Sequence, residues 1–449
     1  MHKSYNDILN GNIAKQLLIF LFPAFVGFLL QQINGFADSI VLGRFVGKEA
    51  LAGVGATSQL VGMYQNFISG IMAAVTVMVA QNVGKGSYEG IHKAVKTGFY
   101  ISFATGILFT ITGLLFSKSI LLMINTPLEV LDNSLTYTFW YFLSITFYVV
   151  YNAGISIFRA MGDSKKPTYF IIILCVVKIG LDLLLAGVFK MGVTGTSIAT
   201  FVSHFACAVL ILWIFANTDE VYAYSIKEDF GYDLKTAIST FKIGIPAGVQ
   251  SMIYALTSAV VQAKINVFGT DAVAAMSTYL NIDNLVWCYV SALSADVITI
   301  AGQNFGNGNI KRVKQTLYCG VALYIVGSAV TYVLFSQFGT NMLGLFTEDR
   351  NVIELGYSML MIVTATYWTY APLEIITNIL KSTGDTFNSM IISIITICGS
   401  RLLFLFVYPQ TEVLTPILCY PISWIFGSLV FITYFVLNKK FRTPKENRA

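Results

Sequence analysis

The octapeptide AQNVGKGS occupies residues 80–87, and a close copy, GQNFGNGN, occupies residues 302–309. Each copy ends a long apolar run. Gln81 and Gln303 are 222 residues apart, which is about half of the 449-residue chain. A glycine-rich stretch of this kind either binds a ligand or closes a helix, and the rest of the sequence decides between the two.

The same spacing joins other parts of the chain. RAMGDS at 159–164 aligns with KSTGDT at 381–386, and VGKEALA at 46–52 aligns with FGTDAVA at 268–274. FPAF at 22–25 aligns with IPAG at 245–248 at a spacing of 223, so one residue was gained or lost in between. Because chance matches would not keep one offset over three stretches, with a fourth only one residue different, the chain is an internal duplication.

The composition predicts a membrane protein. Apolar residues make up 56% of the chain and charged residues only 11%, against about 25% charged residues in soluble domains. A membrane-spanning helix needs about 20 apolar residues. On that criterion we expect twelve spans, near residues 14–43, 50–81, 92–117, 131–160, 167–189, 192–216, 238–268, 272–303, 311–337, 352–381, 387–409 and 411–437. We interpret the first of these segments as a membrane-spanning helix and not as a signal peptide, since no small-residue cleavage site follows it.

The basic residues predict the orientation of these spans. Of the 28 Lys and Arg residues, 20 lie on the side of the N-terminus, six lie on the other side, and Lys178 and Arg401 fall within spans. By the positive-inside rule both termini are cytoplasmic. We expect a protein of the plasma membrane, which is the inner membrane of a bacterial cell, and no nucleic-acid partner, because the net charge of +5 is spread over short loops.

Six spans per half is an even number, so both halves enter the membrane from the same side as parallel repeats. We predict an all-α polytopic fold with two six-helix bundles around a central cavity. The predicted domains are 1–216 and 238–437, joined by a polar linker at 217–237 and followed by a tail at 438–449. Two such halves favour alternating access, although duplication alone does not exclude a channel.

The glycine-rich copies do not have the spacing of a nucleotide loop. Gly84 and Gly86, like Gly306 and Gly308, follow a predicted helix and not a strand, and neither GxGxxG nor a Walker A motif is formed. We predict that glycine closes each helix in the left-handed conformation. No Walker A sequence occurs elsewhere, so ATP-driven transport is not expected.

Ionisable residues within spans are candidates for function, because they are costly in lipid. Depth estimated at about 1.5 Å per residue places Asp38, Asp182 and Thr200 in the outer part of the membrane. Lys178 and Asp182 are four residues apart and could instead form a structural ion pair. Asp38 could instead be an interfacial residue that reaches outward.

In the second half the candidates are Asp283, Asp296, Glu374 and Arg401. Asp283 could pair with Arg401, and Asp296 and Glu374 could be satisfied by backbone or hydroxyl groups. At the 222-residue offset Asp182 corresponds to Phe404 and Glu374 to Asn152, so the halves differ in charge. His204 and the six cysteines are predicted to be packing residues, and no metal-ligand spacing occurs.

Several of these segments resemble the multidrug and toxic compound extrusion (MATE) family, in particular its bacterial DinF-like branch. The resemblance covers nearly the whole chain. It rests on Pro23, Asp38 followed by VLGRFVGKEALAGVG, AQNVGKG, FRAMGDSKKP at 158–167, Asp182, and GVTGTSIAT at 192–200. Major facilitator chains share the duplicated plan, but their basic loop after the second span is absent here.

The resemblance implies a secondary antiporter, not an enzyme, that exports bulky cationic or amphipathic compounds in exchange for protons or sodium. It implies no cofactor and a protein that functions as a monomer in the lipid bilayer. Asp38, Asp182, Asn152 and Thr200 match the family's coupling positions, sodium could bind at Asp38, Asp182 and Thr200, and Pro23 matches a proline associated with bending of the first helix.

One departure concerns the coupling ion. Lys178 stands where the family's cation motif has an asparagine, and its ammonium would compete with sodium for Asp182. We therefore assign Lys178 to the coupling site, and Asp283, Asp296, Glu374 and Arg401 to substrate contact or a second relay. The alternatives are a flippase for lipid-linked precursors in the same superfamily, which would need a more basic cavity, and an uncoupled channel.

Overall fold

The computed structural model describes residues 8–124, 126–218 and 233–441. Most of the predicted linker and the end of the predicted tail, together with Lys3, Lys227, Arg442, Lys445 and Arg448, lie outside these ranges. The described residues form helices long and apolar enough to cross a membrane at Ile13–Val46, Lys48–Gly84, Tyr88–Met123, Leu128–Ala160, Lys165–Val188, Gly192–Ala216, Leu234–Asn266, Thr270–Gly306, Ile310–Gly344, Thr386–Val407 and Pro416–Leu437. Arg350–Thr364 and Tyr367–Ser382 form one further span bent by 41°.

Counting the bent pair as span 10 gives twelve spans, and the all-α polytopic prediction is confirmed. Most predicted ends agree with the observed ones within a few residues. The larger differences have local causes. Pro372 lies in the first turn of the helix Ala371–Ser382, where its missing backbone N–H costs no intrahelical hydrogen bond, and the bend of span 10 directly precedes this helix. Span 12 starts at Pro416, which is favoured in the first turn of a helix.

The duplication is visible in the backbone. Three pairs of glycines with positive φ lie 222 residues apart: Gly47 and Gly269, Gly86 and Gly308, and Gly162 and Gly384. Gly86 and Gly308 follow directly on spans 2 and 8, in the left-handed conformation with φ of 65° and 75°. The prediction that the opening motif closes a helix is therefore confirmed, whereas Gly84 and Gly306 are the last helical residues.

A π-helical segment accounts for the one-residue change in the repeat offset. Leu42–Val46 closes its turn over five residues, where an α-helix uses four, and so adds one residue to span 1. Leu234–Asn266 of span 7 is α-helical throughout. This extra residue changes the offset from 223 before it, at Pro23 and Pro246, to 222 after it, at Gly47 and Gly269.

The described chain divides into two compact units, Val26–Ile245 and the combination of Met1–Phe25 with Pro246–Ala449. Both divisions fall within a helix and next to a proline, Pro23 in span 1 and Pro246 in span 7. The beginning of span 1 thus packs with the second half, and the beginning of span 7 packs with the first. The domain limits 1–216 and 238–437 remain a prediction about the repeat.

The copy of the opening motif in the second half holds the start of the chain. Arg312 donates from Nη2 to the carbonyl oxygens of Ile8 and Gly11, at 2.9 and 2.8 Å, and from Nε to Asn304 Oδ1 at 2.9 Å. Ile8 is fully buried in the core of that unit. Asn304 therefore helps to fix the segment that leads into span 1.

The paired glycines give a stability test. Gly308 has a φ of +75° and Gly344 does not have a positive φ, yet a Cβ added to either would meet no atom within 4 Å. Gly308→Ala should lower the free energy of unfolding by about 1–2 kcal/mol because of backbone strain alone, while Gly344→Ala should not lower it. Thermal unfolding in detergent measures both, and equal effects of the two substitutions would contradict the assignment.

Candidate functional site

The first half brings Asp38, Lys178 and Asp182 together. The Lys178 ammonium donates hydrogen bonds to Asp38 Oδ1 and to Asp182 Oδ2, the second at 3.0 Å. Lys178 and Asp182 are four residues apart on one face of the helix Lys165–Asp182. Asp38 comes from span 1, 140 residues earlier in the chain. These three residues are called the ion triad below.

The two helices that carry the ion triad both change to π-helix beside it. Leu183–Val188 follows Asp182 directly, and Leu42–Val46 begins four residues after Asp38. π-helical segments are rare in proteins, but those that do occur are often found at functional sites. A wide turn redirects the helix at some cost in stability. Their position supports a functional role for the ion triad.

The ion triad is enclosed by protein. The Lys178 side chain is 4% exposed, that of Asp182 is fully buried, and that of Asp38 is 18% exposed. With all three groups ionised the cluster carries a net charge of −1. Within the described residues, Asp182 Oδ1 has no hydrogen-bond donor. The cluster is thus a buried site with one negative charge and one unused carboxylate oxygen.

Thr200 and Asn152 are occupied by other partners. Thr200 Oγ1 donates to the carbonyl oxygen of Thr196 at 3.0 Å, and Asn152 Nδ2 donates to that of Tyr148 at 2.8 Å. Neither side chain bonds to the ion triad. His204 is buried, its Nδ1 lies 3.1 Å from Ser144 Oγ, and its ring lies 5.1 Å from that of Tyr148.

Tyr137 was missed by the sequence analysis, although it packs against the apolar cluster of Leu42, Ala50 and Val193, and Leu42 lies four residues after Asp38 in span 1. A tyrosine in an apolar span gives no signal in a search for ionisable residues. Its ring stacks on that of Tyr141 with centroids 6.2 Å apart, and Tyr141 accepts a hydrogen bond from Gln65 at 3.0 Å. The segment of span 1 that follows Asp38 therefore has polar aromatic neighbours.

In the second half, neutral donors surround two buried carboxylates. Asp283 accepts hydrogen bonds from Trp287 Nε1, at 2.9 Å, and from Tyr367 Oη. Glu374 accepts bonds from the side chains of Ser294, Tyr370 and Asn378, at 2.6, 2.9 and 2.9 Å. Trp287, Tyr370 and Asn378 are each four residues from the acid, so helical spacing could have found them. Tyr367 and Ser294 are 84 and 80 residues from the acids that they contact, so only the folded structure identifies them as donors.

Arg401 does not pair with these carboxylates. Arg401 donates from Nε to Ser423 Oγ at 3.0 Å and lies over the ring of Tyr420. Within the described ranges no ion pair connects it to Asp283, so that pairing is corrected: hydroxyl and indole donors satisfy Asp283 instead. Asp296 is buried in span 8.

Other candidate chemistry receives no support from the geometry. All six cysteines are free thiols. Within residues 8–124, 126–218 and 233–441, no group of three or more His, Cys, Asp or Glu side chains could hold a metal ion. Pro23 lies inside the helix Ile13–Val41, and its role in bending that helix stays a prediction.

The MatE family model matches this chain twice, at residues 23–184 and 246–407. The two matches begin and end 223 residues apart and together cover more than half of the chain. A probable multidrug resistance protein of Bacillus subtilis, YoeA, is 26% identical over 442 residues, which are 96% of this chain and 95% of that protein. The multidrug export protein MepA of Staphylococcus aureus is 22% identical over 386 residues, covering 85% and 84%.

A solved structure shows the same fold. An outward-facing conformation of a multidrug resistance MATE family transporter superposes with a TM-score of 0.88 at 18% identity, covering 95% of this chain and 96% of that one. The duplicated family match and the helical fold agree with each other. The chain therefore belongs to the MatE family of multidrug efflux transporters.

Proposed function

We propose that this transporter is a proton-coupled antiporter that exports bulky cationic or amphipathic compounds by alternating access. It would act as a monomer in the plasma membrane with both termini cytoplasmic, and without a cofactor or catalytic activity. The observation that carries the proposal is the ion triad: one buried ammonium between two carboxylates, with a net charge of −1.

A net charge of −1 inside the membrane is costly, and it can be neutralised in two ways. One proton on a carboxylate neutralises the net charge of −1, and one bound organic cation neutralises it equally well. Both together would leave a net charge of +1, which is again costly. Exchange of a proton for a cationic substrate therefore follows from the charge of the site.

Protonation of Asp182 would also change its contact with Lys178. A neutral carboxyl group attracts the ammonium less strongly than a carboxylate does, so the hydrogen bond at 3.0 Å becomes weaker. Asp38 on span 1 then remains the main partner of Lys178. Pro23, earlier in the same helix, removes one backbone hydrogen bond and lets span 1 bend. We propose that this bending accompanies release of the substrate.

Protons are favoured over sodium by the same geometry. A sodium ion between Asp38 and Asp182 would take the place that the Lys178 ammonium occupies, and the two positive charges would repel each other. Thr200 donates its hydroxyl to the backbone and offers no contact to the carboxylates in this arrangement. A proton needs only one free oxygen, and Asp182 Oδ1 has no donor in the described chain.

The second half would contribute contacts to the substrate. We propose that Asp283 and Glu374 act there as acidic groups, with Asp296 buried in the same helix as Asp283. Their donors are hydroxyl, indole and amide groups, and in the described ranges neither Asp283 nor Glu374 forms an ion pair with an ammonium or guanidinium within 4.0 Å. These acids favour cations over the phosphates of a lipid-linked precursor.

Asp182→Asn tests the coupling. The variant keeps the shape of the side chain but cannot exchange a proton, so proton-driven dye export should fall about tenfold or more. The measurement is dye accumulation in everted vesicles with an acidic lumen. Asp132→Asn, which changes an exposed acid of the same half, should leave export unchanged. Normal proton-driven export by a folded Asp182→Asn protein would refute the role of this carboxylate.

Lys178→Asn tests the choice of ion. Removing the ammonium leaves two buried carboxylates without a counter-charge, a loss of up to about 3–5 kcal/mol, and opens the place that a sodium ion needs. The thermal midpoint of the wild type should be the same in sodium and choline chloride. That of Lys178→Asn should be lower in choline and partly recovered by sodium, since a ligand of the folded state stabilises it.

Lys93→Asn is the matched control for that experiment. Lys93 forms a surface ion pair with Glu89 at 2.6 Å, and pairs of this kind contribute little to stability. Its substitution should change the midpoint only slightly, and equally in the two salts. Sodium-dependent stabilisation of the wild-type protein would contradict the proposal that protons drive transport.

A further inference from the structure

Arg401 is a buried cation without an acidic partner. It is 6% exposed, its Nε donates to Ser423 Oγ at 3.0 Å, and its guanidinium carbon lies 4.6 Å from the centroid of the Tyr420 ring. Within the described ranges no carboxylate lies within 4.0 Å of it. A hydroxyl and an aromatic face compensate only part of the cost of burying a guanidinium.

The helical register makes Arg401 the counterpart of Lys178. In span 11 the π-helical segment Ile394–Gly399 precedes Arg401, whereas the helix leading to Lys178 is α-helical from Lys165 to Asp182. The wider turn adds one residue to the second half before Arg401. The offset is therefore 223 at this point and not 222, as the ends of the family matches at 184 and 407 also indicate.

This register corrects the sequence alignment of the two halves. An offset of 222 pairs Asp182 with Phe404, but an offset of 223 pairs it with Leu405 and pairs Lys178 with Arg401. Asp38 lies before the π-helical segment of span 1, where the offset is also 223, and it pairs with Val261. The second half thus repeats the cation of the ion triad and has apolar residues in place of both acids.

The surroundings of Arg401 are aromatic. The rings of Tyr420 and Trp424 are 5.9 Å apart, and that of Trp424 stacks on Tyr367 with centroids at 5.5 Å. Trp424 is 2% exposed, and its indole N–H has no acceptor in the described part of the chain. The buried indole N–H thus lacks an acceptor in the described residues, and the guanidinium in the same aromatic cluster has a hydroxyl acceptor but no carboxylate there.

We propose that Arg401 binds an acidic group, a carboxylate, of an aromatic molecule that this protein transports. The guanidinium supplies two parallel donors that match a carboxylate, and the partly exposed ring of Tyr420 beside it supplies an aromatic contact for a ring of the ligand. The inference rests on the proposed export function and narrows its substrate class: amphipathic aromatic compounds with an acidic group are accepted beside simple cations.

Two dyes that differ at one group test this proposal. Rhodamine 110 has a free carboxyl group, and rhodamine 123 is its methyl ester with the same fused rings. Binding to the purified wild type, Arg401→Gln and Arg401→Lys is measured by fluorescence polarisation in detergent, without an ion gradient. Lys264→Gln is the matched control, since Lys264 in span 7 also lies over an aromatic ring, that of Phe406 at 4.4 Å.

Arg401→Gln should weaken the binding of rhodamine 110 about tenfold or more and leave that of rhodamine 123 within about twofold, because only the charged hydrogen bond is lost. Arg401→Lys should be intermediate, since lysine keeps the charge but not the paired donors. Lys264→Gln should bind both dyes like the wild type.

Equal weakening of both dyes in Arg401→Gln and Arg401→Lys would assign Arg401 a structural role and overturn the proposal. Unchanged binding of rhodamine 110, or no binding of it by the wild type, would also overturn it. If Arg401→Gln does not fold, the affinities of Arg401→Lys for the two dyes are compared instead. Weaker binding of rhodamine 110 alone supports the proposal, and equal weakening of both dyes overturns it. Intact dye binding combined with no proton-driven export of either dye would instead contradict the proposed antiport.

Discussion

A charge surrounded by lipid and apolar side chains must be paired, hydrogen-bonded or neutralised, and this constraint decides where the chain can hold ionisable groups. The first half meets it with Lys178, which lies between Asp38 and Asp182. The second half meets it differently: tyrosine, tryptophan, serine and asparagine donors surround Asp283 and Glu374. A site of net charge −1 can exchange one positive charge for another, and this exchange is the physical basis of the antiport that we propose.

The duplication preserves backbone geometry more closely than it preserves charge. Three glycine pairs adopt positive φ at the same repeat positions, so the turns that connect the spans are built alike. The charged side chains differ, because Val261 and Leu405 occupy the positions of Asp38 and Asp182 once the register is corrected. Two similar bundles thus carry different charged groups at matching positions: an ammonium between two carboxylates at Lys178, and a guanidinium bonded to a hydroxyl at Arg401.

Irregular helix geometry accompanies these differences. Each of the three π-helical segments of the described chain lies within four residues of a charged residue inside a span: Leu42–Val46 near Asp38, Leu183–Val188 after Asp182, and Ile394–Gly399 before Arg401. Each segment shifts the register by one residue and rotates the side chains that follow. The compact units divide beside Pro23 and Pro246, where spans 1 and 7 each lack a backbone hydrogen bond.

The sequence by itself determined the membrane location, the twelve spans, the duplication and the pairing of Lys178 with Asp182, because hydropathy, glycine turns and helical spacing are local properties. Only the tertiary structure decided that Asp38 joins that pair from 140 residues away, that Tyr367 and not Arg401 satisfies Asp283, and that Arg312 holds the start of span 1. It also decided the register in which Arg401 matches Lys178. Contacts between helices depend on how far each helix is rotated, and one extra residue in a π-helical turn changes that rotation without a signal in the sequence.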